Sequence, residues 1–91
     1  MIIYLNDEFK TICHEIVAEH KTEEDWKKLW CSDYFQTEHF CGGFDALENA
    51  FVFGYYADDG EQYSFLIKLN EIQDVLDGRI TEIDAVSEND D

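Results

Sequence analysis

Apolar residues recur along this chain with two periods, and the change of period separates a helical first third from a later part built around β-strands. Phe9, Ile12, Cys13, Ile16 and Val17 fall at i, i+3, i+4, i+7 and i+8, one apolar stripe from which Glu8, Glu15 and Glu19 are absent. That spacing predicts a helix to about His20. Asn6 or Asp7 is its N-cap, with a side-chain oxygen able to accept from a first-turn amide. Residues 2–5 read either as a short edge strand or as the lead-in to this helix. Thr22-Glu23-Glu24-Asp25 opens a second helix. Thr22 caps it, and three acids sit where the helix dipole favours negative charge. Trp26, Leu29 and Trp30 mark its buried side, and it is expected to end near residues 31–35.

Residues 36–44, with Gly42-Gly43 inside them, read as a loop, and residues 45–49 as a single helical turn. The strongest β signal is a hairpin of residues 51–57 and 61–69 around Asp58-Asp59-Gly60. A two-residue turn would mix Phe51, Phe53, Tyr55 and Leu66 with Gln62, Ser64 and Lys68 on one face. A three-residue loop with Gly60 in the left-handed conformation sorts them better. Phe51, Phe53, Tyr55, Tyr63, Phe65 and Ile67 then share one face, while Val52, Gly54, Tyr56, Gln62, Ser64, Leu66 and Lys68 share the other. A slip of one residue exchanges faces, so the cleaner division selects the bulged register.

Asn70 caps a third helix over residues 71–77, with Ile72, Val75 and Leu76 inward and Gly78 as its stop. Residues 80–86 are a candidate final strand beside the hairpin, and 87–91 an acidic flexible tail. The expected architecture is α+β. Residues 1–86 form one compact domain, in which two N-terminal helices pack on a small antiparallel sheet and a short third helix lies beside it. At 91 residues there is no room for a second core.

Composition changes this picture in one respect. Twenty-two Asp and Glu face six Lys and Arg, a formal charge of −16, yet the chain is 45% hydrophobic and 15% aromatic. A disordered acidic tail would lack those aromatics. The charge is uneven: residues 1–28 carry seven acids and four bases, and residues 29–91 carry fifteen acids with only Lys68 and Arg79. Such a field opposes nucleic acid and anionic membranes and attracts a basic protein. No apolar run reaches the length of a membrane span. Three cysteines and the absence of a basic, apolar leader point to reduced thiols and a cytoplasmic setting.

Reactive chemistry is poorly represented. Cys31, His39 and Cys41, with His14 beside Cys13, lack the paired short spacings of a zinc site, so neither metal nor other cofactor is expected. A Cys41 thiolate activated by His39 or His14 needs an electropositive setting, which this composition opposes. Asp58-Asp59-Gly60-Glu61 departs from a calcium loop because Leu66 stands where the bidentate Glu belongs.

The acids that carry a functional expectation are Asp58, Asp59 and Glu61 at the turn, Glu71, Asp74 and Asp77 on the third helix, and Glu82 and Asp84 near the end. B-DNA presents one charge per roughly 1.7 Å of axis, a density that rows of carboxylates can imitate. The expectation is a non-enzymatic inhibitor that binds a basic nucleic-acid-handling protein, such as a nuclease, as a DNA mimic. Small phage proteins that block restriction or CRISPR nucleases share this size and charge. An immunity protein or antitoxin for a nuclease toxin is the alternative, followed by a small enzyme or a plain adaptor domain.

Overall fold

The structure is a computed structural model and describes residues 1–29 and 34–87. The elements run β1 (Ile2–Tyr4), α1 (Asp7–Ala18), α2 (Glu23–Leu29), β2 (Tyr34–Gln36), β3 (Phe40–Asp45), β4 (Ala50–Tyr56), β5 (Gln62–Ile67), α3 (Leu69–Leu76), β6 (Glu82–Asp84) and β7 (Val86–Ser87). Five strands form an antiparallel sheet in the order β2-β3-β4-β5-β7, and β1 and β6 form a separate antiparallel ribbon. The α+β architecture is therefore present, with a larger sheet than a hairpin and one added strand.

Period-two alternation sets the core. Phe40, Gly42 and Phe44 of β3 stand opposite Tyr55, Phe53 and Phe51 of β4, which in turn oppose Tyr63, Phe65 and Ile67 of β5. This is the bulged register, with Gly60 at φ 90° and its N–H bonded to the Ala57 carbonyl at 3.0 Å. The α1 residues Phe9, Ile12, Cys13 and Ile16 are buried within the same core. The Phe9 ring lies 4.9 Å edge-on from Phe53 and 5.1 Å from Phe40. Trp26 of α2 meets Phe51 and Phe44 at 5.1 and 6.1 Å. Val17 and Leu29, expected inward, are exposed at the helix margins. The opposite sheet face carries exposed Tyr56, Leu66 and Val86.

Helix ends follow local chemistry. Asn6 caps α1 by accepting from the Phe9 N–H at 3.1 Å. Thr22 and Asp25 exchange side-chain and backbone bonds at 3.0 and 3.2 Å at the start of α2. The cap of α3 is Lys68 rather than Asn70, which lies inside the first turn. Glu71 turns its carboxylate back to the Lys68 N–H at 2.9 Å and satisfies an amide that a lysine side chain cannot. Gly78, at φ 80°, closes α3. Its N–H bonds Val75 and the Arg79 N–H bonds Asp74, a Schellman motif.

Residues 36–44 are not a loop: β2 and β3 occupy most of them. Glycine at 42 serves close strand approach, because a Cβ there would meet the Val52 carbonyl oxygen at 2.1 Å. Residues 46–49 are a turn without a helix, closed by Asn49 at φ 54°. The expected single strand over residues 80–86 divides at buried Ala85, whose N–H bonds the Met1 carbonyl. The part before it pairs with the N-terminal strand, and the part after it with β5. Ser87 belongs to β7, and residues 34 and 35, within the expected end of the second helix, belong to β2; the rest of the expected tail and residues 30–33, Trp30 and Cys31 among them, lie outside the described residues.

Candidate functional site

Among the described residues no charged side chain is buried, so every described carboxylate reaches the surface. The arrangement of the eight acids singled out from sequence is nevertheless uneven. Asp58 and Asp59 sit at the hairpin tip, where the Asp59 carboxylate accepts from the Glu61 N–H at 2.9 Å and shapes the turn. Glu71 caps α3 at its start. Asp74 meets Arg79 at 3.4 Å, and Asp77 accepts from the Gln73 amide at 3.0 Å. Glu82 and Asp84 stand on the ribbon opposite Tyr4 and Ile2, and Asp84 also meets the Met1 ammonium at 3.0 Å. The hairpin acids and the α3 acids thus occupy different elements, and several are engaged in local structure.

A different constellation gathers around the tip. His39 lies between two carboxylates, with Nδ1 2.9 Å from Glu8 and Nε2 3.0 Å from Asp58. The second Glu8 oxygen accepts from the His39 N–H and the Thr37 hydroxyl, both at 2.6 Å. One carboxylate at the N-terminus of α1 therefore holds the β2–β3 turn, and one imidazole joins both to the β4–β5 turn. With an oxygen at each ring nitrogen, the imidazole is best satisfied as imidazolium, donating from both. Its pKa is raised, first by the Glu8 bond and then by the Asp58 bond. Burial pulls the Glu8 carboxyl upward, but bonds from Thr37, the His39 backbone and its ring outweigh this, and the net shift is downward.

The clasp joins Glu8 of α1 and Asp58 of the β4–β5 turn through His39, and Asp7, Glu38 and Asp59 are the next residues along the chain to its members. Sequence reasoning found the turn acids and missed Glu8, Glu38 and the His39 link. The Glu8–His39 pairing spans 31 residues, and no local spacing signals it. Tyr55 continues the surface away from the clasp, its ring 6.3 Å from that of His39. It also lines an open groove of about 280 Å³ with Met1, Ile2, Ile3, Tyr4 and Asn6.

The cysteines are placed for packing. Cys13 is fully buried in the core, and burial pushes its thiol pKa up to about 12. Cys41 is buried against the sheet, 3.5 Å from the Tyr56 hydroxyl. His39 and Cys41 lie two residues apart on β3 and its turn, but the imidazole nitrogens face Glu8 and Asp58. Among the described residues no group of three or more His, Cys, Asp or Glu side chains is placed to hold a metal ion. None of the described helices is long and apolar enough to cross a membrane.

No protein-family model matches this chain, and neither the curated proteins nor the solved structures contain a significant match to it.

Proposed function

We propose that this chain is a non-enzymatic inhibitor that binds a basic, nucleic-acid-handling protein and occupies the surface that would otherwise receive DNA. The observation carrying this reading is the His39 clasp. It uses one imidazole to hold two carboxylates from separate segments, Glu8 and Asp58, near each other, where like charges would otherwise drive the segments apart. A solubilising coat has no need to gather acids in this way. The gathered charge remains negative with His39 protonated, since Glu8 and Asp58 alone outnumber it.

The reactive groups support a binding role over catalysis. A thiol with a pKa near 12 supplies no thiolate, and both nitrogens of His39 are already engaged. Carboxylates would steer the encounter with a cationic cleft, and exposed Tyr4 and Tyr56 offer aromatic anchors. Direct contact with nucleic acid is opposed by charge. The setting in this reading is cytoplasmic, where such nucleases act.

The test is DNA cleavage by a panel of restriction endonucleases and RNA-guided nucleases, with the purified chain titrated in. Inhibition of at least one nuclease is expected, competitive with DNA and weakening by about ten-fold or more between roughly 50 and 200 mM salt, as phosphate-like contacts demand. Inhibition indifferent to DNA concentration and salt, or none across the panel, refutes the proposal.

A further inference from the structure

The N-terminal strand carries an open edge. The Met1 ammonium bonds the Ala85 carbonyl at 3.0 Å, and the Ala85 N–H returns to the Met1 carbonyl at 2.7 Å. The Leu5 N–H bonds Thr81 at 3.0 Å on the same side. In an antiparallel pair, bonded and non-bonded positions alternate, so Met1, Ile3 and Leu5 address β6 while Ile2 and Tyr4 address the other side. The Tyr4 carbonyl there is taken by the Asn6 N–H at 3.1 Å. The Ile2 N–H and C=O and the Tyr4 N–H are left along an edge where, among the described residues, the sheet register supplies no strand.

The edge is only three residues long, but it is not otherwise blunted as exposed edges usually are. It carries no lysine, proline or bulge, and its side chains are exposed apolar ones, with Ile2 46% and Tyr4 71% accessible. The 280 Å³ groove runs beside it, lined by all of β1, Asn6 and Tyr55. Carboxylates stand on both margins. Asp84 and Glu82 oppose Ile2 and Tyr4 across the ribbon, Asp84 also meeting the Met1 ammonium, while Glu8 bonds His39, whose ring lies 6.3 Å from that of Tyr55. Three backbone groups, an apolar groove and acids on either side define the chemistry of the occupant: an extended chain bearing cations.

We infer that the free edge of β1 is a docking site for an extended, lysine- or arginine-bearing segment of a partner protein, which adds to the ribbon as a third strand. Main-chain bonds to Ile2 and Tyr4 supply affinity, and the flanking acids select basic side chains. The inference rests on the proposed binding of a basic partner and specifies where part of that partner lies.

The probe is an acetylated, amidated Lys-Val-Arg-Val-Lys-Val peptide, followed by amide chemical shifts of the intact protein at low salt. A second peptide of the same sequence, N-methylated at every residue and ending in a dimethylamide, keeps the charges and loses every main-chain amide donor. The unmodified peptide is expected to bind roughly three- to ten-fold more tightly, in keeping with the one bond that a peptide N–H makes to the Ile2 carbonyl, and to shift the Ile2 and Tyr4 amides. An Ile2→Pro variant is expected to bind the unmodified peptide several-fold more weakly while keeping its ribbon bonds, because it removes an N–H that faces away from β6 and donates to a peptide carbonyl. Equal, salt-sensitive binding of both peptides overturns the edge site and leaves the basic-partner reading standing. Binding by neither removes both. Shifts confined to residues away from β1 also overturn the site, whatever the proline variant does.

Discussion

Replacing Gly42 by alanine tests the strand that the sequence pattern concealed. A Cβ built on Gly42 would lie 2.1 Å from the Val52 carbonyl oxygen and 2.8 Å from the Phe53 ring. That is about 0.9 Å inside the 3.0 Å that real Cβ atoms respect, and the obstructing atom is backbone. To make room, β3 must move away from β4 at the middle of a six-pair ladder. A ladder bond lengthened by this amount leaves hydrogen-bonding range, so one or two bonds at about 1 kcal/mol each are lost. Strain from overpacking against Phe53 adds about 1–3 kcal/mol. The stiffer unfolded chain returns about 0.4–1 kcal/mol. The net cost is about 2–4 kcal/mol, against a total stability of roughly 5–14 kcal/mol for a chain of this length. Gly54→Ala is the internal comparison: it lies on the neighbouring strand, but its Cβ would meet only Cys41 Sγ at 3.6 Å and the Tyr63 carbonyl at 3.8 Å. It is expected to be neutral or to stabilise by up to about 1 kcal/mol. Urea unfolding followed by tryptophan fluorescence reads both, with Gly42→Ala lowering the midpoint by roughly 2–3 M at the slope of a small domain. A Gly42→Ala midpoint near that of the parent, or equal damage from both substitutions, refutes the close-approach argument.

The remaining predictions concern the clasp and its acids. Because the folded pKa of His39 is raised above its ordinary 6.5, its stabilising contribution is complete below about pH 6.5 and is lost as pH rises through the raised value. Urea midpoints should therefore fall from about pH 6 to about pH 8.5 in the parent and change less in His39→Asn; parallel curves would rule out His39 as the source. Glu8→Ala strips an acceptor from the Thr37 hydroxyl and the His39 N–H and should cost about 1–3 kcal/mol, with Glu8→Gln milder. Equal stability of parent and Glu8→Ala, again in urea, would show the clasp to be energetically idle. Changing Asp58, Asp59 and Glu61 to Asn, Asn and Gln should leave the circular dichroism intact, since a side-chain amide oxygen at position 59 can still accept from the turn N–H. It should slow association with an inhibited nuclease at low salt, with the difference shrinking as salt rises. Unchanged stopped-flow rates would remove the tip from the interface.

What was legible in the sequence is what neighbours along the chain decide. The stripe of Phe9, Ile12, Cys13 and Ile16 declared α1, Thr22 declared the cap of α2, and the cap of α1 was narrowed to Asn6 or Asp7, because helix periodicity and capping act over three or four residues. Facial sorting chose the hairpin register, since the three-residue loop and not the two-residue turn puts all six large residues on one side. The cap of α3 was misplaced by two positions because a polar residue near a helix start is a weak signal beside a carboxylate reaching backward from Glu71. In β3 the alternating Phe40 and Phe44 were outweighed by two glycines, whose meaning depends on how near the next strand comes.

The sequence by itself determined the helix and hairpin faces and the excess of acid. Only the tertiary structure decided where those acids meet. Glu8, His39 and Asp58 are distant along the chain, and their hydrogen bonds exist because α1 and the sheet pack their phenylalanines together. The open edge of β1 is likewise a consequence of long-range pairing. Ile2 and Tyr4 face away from a partner strand at the other end of the chain, and no local preference of three residues encodes which side of a strand will be left bare.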